Sequence, residues 1–202
     1  MDGPELPSCR FERYADDAVL HCKTRRQAEY VLAGIAARME EVGLRLHPDK
    51  TRIVYCKDGR RRGEHEHTSF TFLGYAFQAR GARSKNGRNF TGFLPAISPE
   101  ALKAKGAELR GMRIHRRTDL SLDDLARWLN PIVSGWINYY GRFYRTALDP
   151  LLKRVNAYPR RWAGRKYKRL RTDKRFGAWW TGLLTRQPGL FIHWRTVRTY
   201  HG

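Results

Sequence analysis

Apolar and polar positions alternate in short stretches through the first half of the chain and recur every three or four residues through the second. Residues 11–22, FERYADDAVLHC, read as two short strands about a tight turn. Tyr14, Val19 and Leu20 favour extended backbone, and Asp16-Asp17 suits the turn. Thr24 and Gln27 then form a T-x-x-Q capping box that opens a helix. Ala28, Val31, Leu32, Ile35, Met39 and Val42 follow at helical spacing on one face, and Gly43 closes the helix as a left-handed cap. Leu44 to Tyr55 holds two short apolar runs broken at His47-Pro48, and residues 57–68 read as a polar loop. Residues 69–78, SFTFLGYAFQ, alternate as a strand. Residues 79–89, rich in Gly and Arg, read as a turn or mobile loop, and residues 89–95 return as a second strand.

The pattern changes at Ser98. Ser98-Pro99-Glu100 supplies a helix N-cap, a first-turn proline and an early acid. Ser121-Leu122-Asp123-Asp124 repeats that logic. Asn130-Pro131 is expected to begin another helix, with Val133, Ile137, Tyr140 and Tyr144 on one stripe, and Asp149-Pro150 a further one. Residues 176–194, rich in Trp and Phe, are expected to cover the resulting bundle. The predicted fold is α+β, with residues 1–97 mixed and residues 98–202 mainly helical, and with no internal repeat.

Composition sharpens this division. The chain has 202 residues, 41% of them hydrophobic, enough for a core in one medium domain or two small ones. Its formal charge is +21, which predicts a polyanionic partner. Residues 1–97 hold 17 basic and 12 acidic side chains, whereas residues 98–202 hold 23 and 7. No apolar run approaches the roughly 20 residues that span a bilayer. The stretch MDGPELPSCR has no apolar signal core, so the expected location is cytoplasmic. Cys9, Cys22 and Cys56 are scattered, without a C-x-x-C pairing, and are expected to be reduced thiols rather than zinc ligands. His65 and His67 lie in a polar loop with no third ligand nearby, so solvated side chains are expected there.

A bare pair of aspartates at a turn is ordinary turn chemistry, but its neighbours alter the reading. Arg13-Tyr14-Ala15-Asp16-Asp17 resembles the Y-x-D-D motif of reverse transcriptases, in the R-Y-A-D-D form common in group II intron-encoded proteins. Leu44-x-Leu46-x-Pro48-x-Lys50-Thr51 resembles the next block of that family, and Phe70-x-Phe72-Leu73-Gly74-Tyr75 its primer-grip hairpin. Leu129-Asn130-Pro131-Ile132-x-x-Gly135-Trp136-x-Asn138-Tyr139-Tyr140 resembles the signature of the group II intron maturase-specific domain. This last motif is the most specific of the four.

The resemblance implies a partial reverse-transcriptase palm over residues 1–97, followed by a helical thumb or maturase domain over residues 98–202. It implies that Asp16 is the main metal ligand of this turn and Asp17 its supporting partner. Lys50 would protonate the departing pyrophosphate, and Phe72, Leu73 and Gly74 would place the primer backbone. The implied chemistry is Mg²⁺-dependent two-metal phosphoryl transfer. The family uses a third aspartate from an earlier strand, whereas only 15 residues precede Asp16 here, with Asp2, Glu5 and Glu12 the acids among them. The expectation is therefore a C-terminal fragment whose polymerase site is incomplete in this chain. The implied partners are group II intron RNA and, in the full-length family, an RNA template with a DNA primer.

Between Gly141 and Arg171 stand eleven basic residues and one acid, Asp149. Arg142, Arg145, Lys153, Arg154, Arg160, Arg161, Arg165, Lys166, Lys168, Arg169 and Arg171 are expected to bind RNA phosphates, because one acid leaves few internal ion pairs. Tyr144, Tyr158, Trp162 and Tyr167 are interleaved and suggest base stacking, whereas Trp136 and Tyr140 are expected in the core. The leading expectation is a protein that binds intron RNA and assists its splicing. Its competitors are an active reverse transcriptase completed by the missing palm and fingers, and an inert remnant.

Overall fold

A computed structural model describes residues 9–61 and 63–195. Among these residues the fold is α+β, with five α-helices and two small antiparallel sheets. The chain divides into two compact units. One comprises the described residues up to Phe72 together with Gln78–Phe93, and the other comprises Leu73–Phe77 together with the described residues from Leu94 onward.

The first unit opens with strands β1 (Arg10–Tyr14) and β2 (Asp17–His21), paired antiparallel with Tyr14 opposite Asp17 and Arg10 opposite His21. The turn is therefore Ala15-Asp16, one residue earlier than expected, and Asp17 already belongs to β2. Ala15 takes the left-handed φ of 51° that lets two residues reverse the chain. The same register brings Cys9 and Cys22 together, with sulfurs 3.8 Å apart and Gln27 Nε2 donating to Cys9 Sγ at 3.4 Å. The cysteines are free thiols as expected, but these two are facing neighbours rather than scattered.

Helix α1 (Arg25–Glu41) begins where the capping residues placed it: Thr24 Oγ1 accepts the Gln27 N–H at 3.1 Å. Gln27 Oε1 reaches back one residue further than a capping box requires, to the Lys23 N–H at 2.7 Å. Gly43 ends the helix at φ 74°. Of the predicted apolar stripe, Val31 is buried, Ala28, Leu32, Ile35 and Met39 are half-buried, and Val42 is exposed.

The second sheet has the order β3 (Ser69–Phe72), β4 (Tyr75–Arg83), β5 (Asn89–Ile97). The single strand expected over residues 69–78 is instead a hairpin. Leu73 (φ 52°) and Gly74 (φ 75°) both adopt left-handed backbone and reverse the chain in two residues. The Gly- and Arg-rich stretch is mostly strand, for β4 runs to Arg83 and the turn is confined to residues 84–88.

The second unit carries the larger core. Helix α2 (Pro99–Gly111) starts at Ser98, whose Oγ accepts the Ala101 N–H at 3.1 Å. A short 3-10 turn, Ile114–Arg116, follows. Helix α3 (Leu122–Tyr140) starts with a complete Ser121–Asp124 capping box. No new helix begins at Asn130-Pro131: α3 runs through Pro131. Leu125, Leu129, Val133, Trp136 and Ile137 continue one buried face across it. Pro131 and Arg127, whose carbonyl loses its partner, lie on the exposed side where water can serve it. The helix ends at Tyr140, so Tyr144 falls outside the stripe. Helix α4 (Asp149–Lys166) starts at Asp149-Pro150 as expected, and α5 (Asp173–Arg186) follows. Phe176, Leu183, Leu184, Phe191 and Trp194 are buried, so the aromatic C-terminal stretch covers the bundle.

Candidate nucleic-acid interface

Helix α4 shows how the sequence divides core from charge. Leu151, Leu152, Val155, Tyr158, Trp162 and Ala163 recur on one side and are buried. Lys153, Arg154, Arg160, Arg161 and Arg165 fall on the other and are exposed. The helical period of 3.6 residues sorts the two sets. Tyr158 and Trp162 are therefore core residues and no stacking platform, contrary to the reading of the interleaved aromatics. Trp162 is fully buried and its indole N–H donates to the Arg117 carbonyl at 2.8 Å.

The predicted basic residues differ in what they touch. Arg142, Arg145, Lys168 and Arg169 are exposed, with Arg142 lying 5.8 Å from the Phe143 ring centroid. Arg160 pairs with Asp173 and lies over Phe176. Arg171 Nε donates to the Gly164 carbonyl at 3.3 Å. Lys166 turns inward along the core: its ammonium donates to the Leu120 carbonyl at 2.6 Å and sits 5.4 Å from the Trp162 ring centroid. Lys166 thus ties the loop before α3 to the end of α4.

The maturase-like motif also splits between two sides of α3. Asn130 is a clamp, with its amide donating to the Leu190 carbonyl at 2.8 Å and its oxygen accepting the Ile192 N–H at 3.0 Å. Trp136 is buried, as expected of a core residue. Pro131, Gly135 and Asn138 are exposed at helical spacing, and Asn138 Nδ2 donates to Ser134 Oγ at 3.4 Å. Tyr139 and the half-buried Tyr140 meet the turn of the F-L-G-Y motif. The Tyr139 hydroxyl donates to the Leu73 carbonyl at 2.9 Å, and the Tyr75 hydroxyl donates to the Tyr139 carbonyl. Tyr75 packs 5.3 Å from Tyr139 and 5.6 Å from Tyr140, centroid to centroid. A Cβ at Gly74 would stand 3.1 Å from the Tyr140 hydroxyl, so both its φ and its surroundings require glycine. Sequence reading treated these two motifs separately; the structure shows them locked together.

Three arginines outside the predicted stretch were missed. Arg110, Arg113 and Arg116, from the end of α2 and the turn after it, meet Arg161 of α4 around an open cleft of about 320 Å³. His115 and Tyr158 complete its lining. Their spacing, one arginine in every three residues from 110 to 116, was visible, but only the packing of α4 beside them makes a site.

In the first unit Asp16, Asp17 and Lys50 are all exposed. Lys50 lies in the turn after His47, its N–H bonded to the His47 carbonyl at 3.2 Å. Phe72 ends β3 half-buried. Glu12, the described acid before Asp16, is engaged elsewhere, bonded to His21 Nε2 at 2.5 Å.

Family comparisons fit this organisation. Residues 4–77 match the model for reverse transcriptase (RNA-dependent DNA polymerase), which sets this part of the chain among the reverse transcriptases. Residues 102–180 match the group II intron, maturase-specific domain. With both on one chain in this order, the protein belongs to the group II intron reverse transcriptase/maturase family. No curated protein and no solved structure matched it.

Reverse transcriptases use Mg²⁺. Two exposed carboxylates at one hairpin do not supply the donor set that two-cation phosphoryl transfer needs. Among the described residues no three His, Cys, Asp or Glu side chains converge to hold a cation. Nor, among these residues, is any helix long and apolar enough to cross a membrane.

Proposed function

We propose that this chain binds group II intron RNA through its helical unit and assists the splicing of that RNA, without completing a polymerase site by itself. In this reading residues 1–97 are the end of a palm, and residues 98–202 are the thumb and maturase domain. Arg142, Arg145, Lys153, Arg154, Arg161, Arg165, Lys168 and Arg169 contact RNA backbone, while Asp16 and Asp17 are what the chain retains of a Mg²⁺ site. Lys50 and the Phe72-Leu73-Gly74 turn belong to the same polymerase inheritance.

The observation that carries the proposal is the division of α4. Its aromatic residues seal a core while its arginines and lysines face out, inside the segment that matches the maturase-specific domain. Such a surface neutralises the phosphates of a folding ribozyme and leaves the chemistry to the RNA. The test is splicing of a group II intron transcript at a Mg²⁺ concentration where the RNA alone reacts slowly. The chain should accelerate it, and Arg154→Gln with Arg161→Gln should abolish the acceleration. Saturating RNA binding with no acceleration would refute the splicing role.

The reverse-transcriptase match favours a second reading, in which Asp16 and Asp17 act in a polymerase site completed by palm and finger elements supplied from outside this sequence. Template-dependent primer extension in Mg²⁺ that appears only when those palm and finger elements are added in trans would support this reading, and extension by the chain alone would overturn both.

A further inference from the structure

We propose that the cleft lined by Arg110, Arg113, Arg116 and Arg161 is a built phosphate site that holds a backbone phosphodiester of folded RNA. The proposal rests on the RNA-binding reading and adds to it a place, a chemistry and residues outside the basic run at 142–171.

The first argument is uncompensated charge. Four arginines line one open cleft of about 320 Å³. Among the described residues none of the four has an ion pair, although other basic side chains of the same unit do: Lys105 with Glu108, Arg117 with Asp119, Arg127 with Asp124 and Arg160 with Asp173. Like charges gathered around a cleft repel one another and focus a positive field that an anion relieves. The planar guanidinium fork matches a phosphate's paired oxygens.

The second argument is local strain. Arg113 adopts left-handed backbone, φ 49°, a conformation natural to glycine and costly for a long side chain. That residue links α2 to the 114–116 turn and brings Arg110 and Arg116 to the same side. Third, His115 Nδ1 is shut off from solvent and has no hydrogen-bond partner among the described residues. Burial and the charges of Arg165, Arg116, Arg161 and Arg113 hold its pKa below the usual histidine value. A bound phosphate would offset those charges and raise it.

The lining also limits what the site can read. Tyr158 is 3% exposed and packed in the core, so it offers no ring face to a base. Recognition here is of backbone, without base preference.

The test uses the whole chain, a labelled RNA hairpin and inorganic pyrophosphate. Arg110→Gln with Arg116→Gln should weaken hairpin binding about 10-fold or more and lower the slope of log K against log salt by roughly 1 to 2. Hairpins of different sequence should respond alike. Arg110→Lys with Arg116→Lys, checked for folding by circular dichroism, should keep most of the slope. By NMR, the hairpin should raise the pKa of His115. Wild-type binding with a steep slope that the Gln pair leaves unchanged would overturn the cleft while sparing the general reading. Wild-type binding without salt dependence would overturn both. Pyrophosphate displacing the hairpin at micromolar concentration, and raising the His115 pKa as far, would show that the site serves a free phosphate compound and not RNA.

Discussion

The hairpin-and-helix unit and the helical unit use their apolar residues differently. In the first, Phe11 and Tyr14 are 64% and 63% exposed, Val42 and Leu44 more than half, and α1 buries only Val31 fully. In the second, Leu109, Ile114, Leu125, Leu148, Leu152, Val155, Trp162 and Phe191 are wholly enclosed. A core of that kind holds exposed arginines in fixed places, which is what phosphate recognition needs. A turn bearing two solvated carboxylates on a thinly covered hairpin has no such support. On the proposed function, Asp16 and Asp17 mark the ancestry of the chain, and the basic helices bind the RNA.

This contrast can be broken most severely in the core. Trp162→Ala should destabilise the helical unit by about 3–5 kcal/mol, through the cavity and the lost bond to the Arg117 carbonyl. Denaturant unfolding followed by helix content would measure it. Val31→Ala in α1 should cost much less, and an equal loss would contradict the contrast.

Acid should act next. His193 is fully buried, with Nε2 2.5 Å from Asn156 Oδ1, and burial depresses its pKa to about 4. The folded state therefore resists a proton that the unfolded chain accepts near pH 6.5. Its contribution is complete above about pH 6.5 and declines as the pH falls towards about 4, by on the order of 3 kcal/mol. His193→Gln should flatten that part of the stability profile.

Gly74→Ala should cost about 1–3 kcal/mol, because it combines positive φ with the approach of the Tyr140 hydroxyl. Tyr140→Phe in the same chain should recover part of the loss, which a double-mutant cycle would reveal. The smallest effect is a test of register. Diamide should oxidise Cys9 and Cys22 to a disulfide, itself becoming the hydrazine, and leave Cys56 as the single thiol open to maleimide, with little change in RNA binding. Cross-linking through Cys56 instead would contradict the β1–β2 pairing.

Local chemistry was legible in the sequence; what depends on distant packing was not. Thr24, Ser98 and Ser121 mark helix starts correctly, because a cap is satisfied within one turn, and Asp149-Pro150 marks one as a first-turn acid and proline without a side-chain cap. Asn130-Pro131 carries the same local signal and misled, because Asn130 is spent on the Leu190–Ile192 segment, sixty residues away in the chain. Leu73-Gly74 lies within a run whose alternation predicts strand, and alternation does not register a two-residue reversal. Tyr158 and Trp162 were counted by proximity to arginine, where their spacing with Leu151 and Val155 already set them on the inner face. The Cys9–Cys22 pair was implicit once the turn was known, for the two stand at equal distances from Ala15-Asp16. The cleft arginines are not legible from charge along the chain, because the cleft is made by two segments meeting.

The central claim is that RNA binding resides in the helical unit and not in the paired aspartates. Its most direct test is RNA affinity across a range of salt for the wild-type chain and for the chain with Asp16→Ala and Asp17→Ala. The account predicts the same steep slope and affinities within about threefold of each other, since exposed carboxylates contribute no phosphate contacts. A tenfold or greater loss of affinity in the aspartate variant, with its helical unit still folded, would contradict it.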